Sequence, residues 1–228
     1  MTPAAKKGRA MKTIKTVVYE FDELSDKAKE KARDWWRECS AYDDFWSECA
    51  IDEAIEQGNL LGITFKLRDV KLNNGKTWQK PCIYYSGFAS QGDGACFEGA
   101  WHASDVKADK VADGWGDAPA TKEIKRIARE LAAVAKELPA GCATVRHNDR
   151  YYHSRSVDIT LENDDGEGND AGITTSQQEA VEEALRDFCD WIYRQLEDAY
   201  TYSQANEQVD DNIRCNAYTF TADGQRFA

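Results

Sequence analysis

The chain has 228 residues, of which 42% are hydrophobic and 11% aromatic, so it carries enough apolar material for a folded core. Its formal net charge of −12 argues against binding to a phosphate backbone, which requires clustered lysine and arginine. No run of about 18 apolar residues occurs, so the sequence predicts no membrane-spanning helix.

The N-terminal residues 1–12 are basic but have no apolar stretch behind them. They are therefore predicted to form a disordered extension and not a secretory signal, which favours a cytoplasmic protein. Seven cysteines occur, an odd number, and no C-x-x-C pair is present. The pattern indicates neither a disulfide framework nor a zinc knuckle, and most of the thiols are predicted to be buried.

The first part of the chain predicts a strand, two helices and a β region. The strand covers 13–21, and the helices cover 25–39 and 43–57, with Gly58 as the cap of the second helix. The residues at helical spacing that we expect on the inner faces of the two helices are Ala28, Ala32, Trp35, Trp36, Cys39, Phe45, Trp46, Cys49, Ala54 and Ile55. The predicted strands of the β region are 63–72, 77–88 and 95–103, the first two joined by a turn at Asn73–Gly75.

The second part predicts a helix at 121–138 and a hairpin of strands 142–147 and 150–162, with its turn at Asn148–Asp149. Ser176 and Glu179 have capping-box spacing ahead of a long helix at 177–201. A strand at 213–221 and a turn at Asp223–Gly224 close the chain. We predict a single α+β domain over 13–228, a mainly antiparallel sheet of hairpins packed against several helices, including the long C-terminal helix.

One candidate site is the glycine-rich segment SGFASQGDGACFEG, residues 86–99. A phosphate-binding loop needs a helix directly behind it, whereas the residues that follow alternate like a strand. The segment is therefore predicted to connect a hairpin, with Asp93–Gly94 supplying positive φ. It has more glycines than such a turn requires, which leaves room for a ligand or partner surface lined by Ser90, Gln91 and Asp93.

A second candidate is RHNDRYYHSRSVDI, residues 146–159, which is dense in polar rings and cations. Its binding candidates are His147, Arg150, His153 and Arg155. The structural alternative is an exposed polar strand whose arginines pair with surrounding acids. A nucleophilic pair of Cys96 with His102 or His153 is also conceivable, but no local signature supports it.

Metal binding is weakly indicated. The three histidines have no H-x-H or H-E-x-x-H spacing, although Asp93 or Glu98 could assist them. The acidic segment ENDDGEGNDAG, 162–172, fits an EF-hand loop until position 12, which is Thr174 and not the required bidentate acid. We therefore predict no metal and no cofactor.

The two candidate segments, together with YEFDELSDKAKEKARDWW near the start and YTFTADGQRF near the end, resemble a family of uncharacterised proteins found mostly in bacteriophage genomes. The resemblance runs over most of 13–227, and the glycine-rich segment is its most distinctive part. The family carries no established activity, so no catalytic residue can be transferred. The resemblance implies an accessory phage protein in a bacterial host cytoplasm, a class that often acts on host machinery or counters host defences.

Two hypotheses follow. The first is a non-enzymatic phage accessory protein that binds a host or defence-system protein, as an inhibitor of a nuclease-based defence of the anti-CRISPR or antirestriction type. Its acidic surface would mimic nucleic acid, and no direct nucleic-acid binding or membrane association is expected. The alternative is a small-ligand or nucleotide-binding or hydrolytic protein in which the two polar hairpins converge.

Overall fold

The computed structural model describes residues 15–40, 45–72, 74–113, 115–148, 150–163 and 172–227. The helices are α1 (Asp26–Ser40), α2 (Phe45–Leu60), α3 (Pro119–Glu137), α4 (Thr175–Gln204) and α5 (Asn206–Cys215). The strands are β1 (Tyr19–Glu20), β2 (Ile63–Phe65), β3 (Leu67–Lys71), β4 (Thr77–Pro81), β5 (Ile83–Tyr85), β6 (Ala95–Phe97), β7 (Gly99–His102), β8 (Gly141–His147), β9 (Val157–Asn163), β10 (Thr219–Phe220) and β11 (Arg226–Phe227). All strand pairs are antiparallel, which confirms the predicted α+β class with its long C-terminal helix.

The described residues divide into two compact units, one within 45–201 and the other formed by 15–40 with 202–227. Each unit has its own cluster of buried apolar side chains. Cooperative folding of 13–228 as one domain stays a prediction. The predicted N-terminal extension, 1–12, lies outside the described residues.

The larger unit is built on a four-stranded sheet with the order β2-β7-β8-β9. Alternate residues on its strands are buried, as expected for a sheet with one face on the core. The buried strand residues are Ile63, Phe65, Trp101, Ala143, Val145, Val157, Ile159 and Leu161. Helices α3 and α4 bury their apolar stripes in the same cluster, and Phe188 and Trp191 of α4 are fully buried in it.

The free edge of the outer strand β9 is covered by hydrogen bonds from a side chain of α4. The amide oxygen of Gln178 accepts a hydrogen bond from the Leu161 backbone N–H at 3.0 Å, and its amide nitrogen donates to the Ile159 carbonyl at 3.0 Å. One glutamine thus satisfies backbone groups that face away from β8, as a neighbouring strand would do.

Three of the predicted strands are each broken in two at a shared junction. The Lys66 N–H donates to the Glu98 carbonyl at 2.9 Å, Glu98 to Cys82 at 2.9 Å, and Cys82 to Lys66 at 2.7 Å. Beyond this triangle, β3 and β4 pair only with each other, and β5 pairs with β6. The predictions of continuous strands over 63–72, 77–88 and 95–103 were therefore wrong at these three residues, because each strand changes partner there.

The ends of two helices differ from prediction. Gly58 lies within α2 and does not cap it; a β-carbon at position 58 would come within 2.7 Å of the Phe65 ring. The chain leaves the helix at Gly62, whose φ is +84°. At the start of α4 the capping box joins Thr174 and Gln177, each accepting the other's backbone N–H, and not Ser176 and Glu179.

Two residues predicted on the inner face of α2, Phe45 and Cys49, are exposed, and Cys39 of α1 is exposed as well. The buried face of α2 is formed instead by Ser47, Ala50, Ala54, Gln57 and Gly58. The Gln57 side-chain oxygen accepts a hydrogen bond from the Ala112 N–H at 2.9 Å, which allows a polar residue in the core.

The smaller unit has a sheet of order β1-β10-β11 packed against α1 and α5. The strand predicted at 13–21 is limited to Tyr19–Glu20 among the described residues, and the strand predicted at 213–221 is limited to Thr219–Phe220. The residues before Thr219 include the end of α5. The turn predicted at Asp223–Gly224 is present, with Gly224 at a φ of +83°.

Across the described ranges, no helix is at once long enough and apolar enough to cross a lipid bilayer.

Candidate functional site

The glycine-rich segment connects β5 to β6, so its predicted role as a hairpin connection is correct. At the base of this loop, Ser86 N–H donates to the Gly94 carbonyl at 3.0 Å, and the Gly94 N–H donates to the Ser86 hydroxyl at 3.3 Å. The residue with positive φ is Gly92, at +96°, so the assignment of that conformation to Asp93–Gly94 was wrong. Gly92 adopts this conformation at little steric cost because it lacks a β-carbon.

Asp93 holds the inside of the loop. Its Oδ2 accepts hydrogen bonds from the backbone N–H of Ser90 at 2.7 Å and of Ala89 at 3.0 Å. The hydrogen bond from Ser90 is the main cause of a lowered pKa of the Asp93 carboxyl. The charged Asp93 side chain therefore holds its own loop together by hydrogen bonds to the backbone. Ser90 and Gln91 are exposed at the tip of the loop.

Phe88 anchors the same loop to the helices. Its ring lies 5.8 Å from Trp46 of α2, and 5.4 Å and 5.1 Å from Tyr193 and Tyr200 of α4. The Tyr193 hydroxyl also donates to the Gly87 carbonyl at 3.1 Å. The packed Phe88 ring and this hydrogen bond together fix the loop on rigid elements.

The second segment is a loop where a strand was predicted. The strand predicted over 150–162 begins only at Val157, and a short 3-10 helix covers Ser154–Ser156. His153 accepts the Arg155 N–H on its Nδ1 at 2.9 Å, and its backbone N–H donates to the Ser156 hydroxyl at 3.1 Å. These local side-chain bonds compete with strand pairing and keep the segment out of the sheet. Asp149 of the predicted turn lies outside the described residues.

The two candidate segments contact each other. The Cα of His153 lies 2.8 Å, and its Cβ 2.5 Å, from the position that a β-carbon on Gly94 would take. The Tyr151 ring lies 3.7 Å from the corresponding position on Gly92. The glycines beyond those needed for the turn thus allow the close approach of the second loop. We call the joined surface of residues 86–94, 147–148 and 150–156 the two-loop surface.

The predicted binding residues do not all face the same way. Arg150 lies over the Tyr151 ring, 5.9 Å from its centroid. The His147 Nε2 lies 3.0 Å from the Tyr151 carbonyl oxygen. Arg155 instead lines a separate groove of about 350 Å³ beside the acidic side of α4. The acids in that groove are Glu179, Glu182, Glu183, Asp187 and Asp190.

A cluster of residues outside the predicted set lies between the two-loop surface and the strand junction. Tyr84 stacks on Tyr152 with ring centroids 5.3 Å apart, and the Arg68 guanidinium lies 5.5 Å from the Tyr84 ring. The Tyr84 hydroxyl lies 3.4 Å from Glu98, which pairs with Lys66 at 3.1 Å. Burial is the main cause of a raised pKa of the Tyr84 phenol. The sequence analysis missed this cluster because its members come from separate strands and loops, which only the fold brings together.

The described residues offer little for metal or nucleophilic chemistry. They contain no group of three or more His, Cys, Asp or Glu side chains placed to hold a metal ion. Cys96 is fully buried, and burial raises the pKa of its thiol to about 12. A thiol with that pKa stays protonated at neutral pH and is a poor nucleophile, so the Cys96–histidine pair is not supported.

The architecture defines an antiparallel α+β protein with a preorganised polar surface on two joined loops. Residues 46–206 match the model of the domain of unknown function DUF8835, and the chain belongs to this family. The matched range contains the whole two-loop surface. No curated protein and no solved structure matches the chain.

Proposed function

We propose that the protein is a phage accessory protein that binds and modulates a host protein, as an inhibitor of a nuclease-based anti-phage defence. The phage context rests on the sequence resemblance of the glycine-rich segment and its partners along the chain. Binding to a protein rests on the geometry of the two-loop surface. The site of action that we propose is the bacterial host cytoplasm.

One observation carries the preference for binding over catalysis. The potentially reactive groups of the two-loop surface are engaged with backbone: Asp93 with Ser90 and Ala89, and His153 with Arg155. The outward-facing groups are hydroxyl, amide, guanidinium and phenol side chains, of Ser90, Gln91, Arg150 and Tyr151. Rigid loops that present such groups are typical of recognition surfaces, because little side-chain and loop entropy is lost on binding.

The acidity of α2 supports the nucleic-acid mimicry within this proposal. Glu48, Asp52 and Glu56 are exposed at successive four-residue spacings, and α2 has no basic residue. Like charges at this spacing destabilise a helix by a few tenths of a kcal/mol per pair. This row of carboxylates lowers the stability of the helix, but it suits a basic partner surface, such as the nucleic-acid groove of a nuclease.

The alternative, a small-ligand or nucleotide-binding or hydrolytic protein, is favoured by one observation. A groove of about 530 Å³ lies on the outer face of the sheet, and its lining includes Thr144 and Arg146 as well as Lys66, which is paired with Glu98 in the same groove. A guanidinium beside a hydroxyl suits an anionic small ligand. A thermal shift with nucleotides would support this alternative.

The proposal can be tested by capture from host lysate followed by reconstitution with the captured nuclease. Tyr151→Ala and Gln91→Ala should each weaken capture and relieve the inhibition of nuclease activity. Tyr202→Ala is the matched control, because Tyr202 is also an exposed tyrosine, at 64%, and belongs neither to the two-loop surface nor to the β3–β4 hairpin. Recovery of no protein partner, together with stabilisation by nucleotides, would overturn the proposal in favour of the alternative.

A further inference from the structure

The hairpin of β3 and β4 carries a net positive charge within a chain that is acidic as a whole. Residues 66–81 contain five basic residues and one acid, in a chain whose formal net charge is −12. The basic residues are Lys66, Arg68, Lys71, Lys76 and Lys80. A net charge describes a protein surface only where the charges are evenly spread, and here they are not.

The register places three of these cations on one face of the hairpin. Arg68 is directly opposite Lys80, and Val70 is directly opposite Trp78. The Leu72 N–H donates to the Lys76 carbonyl at 2.8 Å, which continues the same alternation. The face therefore consists of Arg68, Val70, Leu72, Lys76, Trp78 and Lys80. We call it the basic hairpin face.

This face has no acid of its own. Asp69, the acid of the hairpin, points to the opposite face, where Gln79 donates a hydrogen bond to it at 3.3 Å. Directly opposed like charges such as Arg68 and Lys80 destabilise a strand pair. Within the described ranges, neither residue forms an ion pair. The two cations form cation–π contacts instead. The Lys80 ammonium lies 5.6 Å from the centroid of the Trp78 ring, and the Arg68 guanidinium lies 5.5 Å from that of Tyr84.

The hairpin also exposes apolar surface. Trp78 is 52% exposed and Leu72 is 40% exposed. A two-stranded hairpin with little cover is only marginally stable alone in water. An uncompensated set of cations beside an exposed indole is a local conflict in the fold, and such conflicts are typical of functional surfaces.

We infer that the basic hairpin face binds single-stranded nucleic acid. An exposed aromatic ring flanked by cations matches the way in which single strands are held, with a base stacked on the ring and phosphates beside the cations. Trp78 provides the stacking surface, and Arg68, Lys76 and Lys80 provide the phosphate contacts. Tyr84, which stacks on Tyr152, holds the Arg68 guanidinium in position.

Two other polyanions fit less well. A duplex keeps its bases paired and stacked on one another, so the exposed indole of Trp78 would have no free base to stack on. An acidic polypeptide would neutralise the cations but leave the indole without a planar partner. The inference departs from the sequence-based prediction of no direct nucleic-acid binding, because that prediction used the charge of the whole chain.

The test is fluorescence anisotropy with a labelled oligothymidylate of about 20 nucleotides, at salt concentrations from about 50 to 200 mM. We expect a dissociation constant of about 1–100 µM, in the range of non-specific nucleic-acid binding. The logarithm of the binding constant should fall with the logarithm of salt concentration with a slope of about −2, because three cations each contribute about −0.7 on a single strand. A duplex of the same length and a polyglutamate competitor should bind at least tenfold more weakly.

The variants separate stacking from charge. Trp78→Ala should weaken binding by about 5- to 100-fold, and Trp78→Phe should retain most of it. Lys76→Glu should weaken binding and flatten the salt slope. Its control is Lys122→Glu, at an exposed position of α3, which changes the net charge by the same amount.

The inference is overturned if the oligothymidylate does not bind at the lowest salt, if Trp78→Ala binds like the parent, or if Lys76→Glu and Lys122→Glu have equal effects. Tighter binding of duplex or of polyglutamate also overturns it. Tyr151→Ala should leave oligothymidylate binding unchanged, because Tyr151 lies on the two-loop surface. The inference and the proposed function can therefore fail separately.

Discussion

Gly94 and His153 lie so close together that a β-carbon on residue 94 would stand 2.5 Å from the β-carbon of His153. This position would also be 2.9 Å from the Tyr152 carbonyl oxygen. Because backbone atoms are involved, a side-chain rotation cannot relieve the clash. We expect Gly94→Ala to push the two loops apart and to lower the free energy of unfolding by about 1–3 kcal/mol, measured by urea denaturation.

The control for this prediction is Gly87→Ala in the same loop. A β-carbon on residue 87 would lie 3.4 Å from the Asp93 Oδ2, an ordinary contact, and the φ of Gly87 is not positive. Its denaturation midpoint should match that of the parent. Equal midpoints for the two variants would show that the loops do not meet as described.

The stability of the glycine-rich loop depends on pH through the Asp93 carboxyl group. Its folded pKa lies below the ordinary value of 3.8, so the carboxylate stabilises the loop at neutral pH, and this contribution is lost as the pH falls through the lowered pKa. A carbon NMR titration should give an Asp93 midpoint below 3.8, with the amide proton of Ser90 shifting at the same pH. A midpoint at or above that value would contradict the hydrogen bonds that the Asp93 carboxylate accepts from Ser90 and Ala89.

Asp93→Asn should keep the loop and remove its charge, because the amide oxygen can still accept from Ala89 and Ser90. The Ser90 amide shift should then stop titrating. Asp93→Ala removes the acceptor as well and should loosen the loop.

If the two-loop surface is the functional one, His153→Ala should impair activity in an infection assay, and fully retained activity would count against that surface.

Phe188 tests the core of the larger unit. It is fully buried, with its ring centroid 5.8 Å from those of both Phe97 and Trp191. Phe188→Ala should cost about 3–5 kcal/mol of stability in denaturant melts. Tyr202→Ala serves as the control on the same helix, because Tyr202 is 64% exposed and its loss should change stability by no more than about 0.5 kcal/mol. A cost below about 1 kcal/mol for Phe188→Ala would mean that this face of α4 is not packed as described.

Duplex DNA should bind weakly at about 0.15 M salt, because the three cations of the basic hairpin face give few phosphate contacts and the paired bases of a duplex are not free to stack on Trp78. Fluorescence anisotropy with a labelled duplex is the measurement. A salt-sensitive dissociation constant below about 1 µM would contradict this expectation. Substitution of Arg146 would then show whether the cations of the sheet groove are responsible.

Much of the helical structure was predictable because long apolar stripes record the helical period. Ile124 and Leu131 lie on the apolar stripe of α3 and Phe188 on that of α4, and all three are fully buried. Helix α5 was missed because its ten residues include only two buried apolar positions, Val209 and Ile213. A signal of two residues is too short to outweigh the β-rich residues that follow.

The site was harder to predict than the helices. The strand predicted over 150–162 contains Tyr151 and Tyr152, and aromatic residues do favour strands. The hydrogen bonds of His153 and Ser156 to nearby backbone decided otherwise, and such bonds depend on loop geometry that a residue pattern does not encode. The excess glycines did indicate a close backbone approach, although only the structure identifies His153 as the neighbour.

The side chain of Gln178 has a consequence for the behaviour of the protein at high concentration. An uncovered outer strand is a template on which strands from other molecules can add, and repeated addition produces fibrous aggregates. At β9 an incoming strand would first have to displace the two hydrogen bonds from Gln178 to Leu161 and Ile159. A single glutamine on a neighbouring helix thus blocks the addition of strands to the edge of the sheet at β9. It does so without a charged residue and without a further strand.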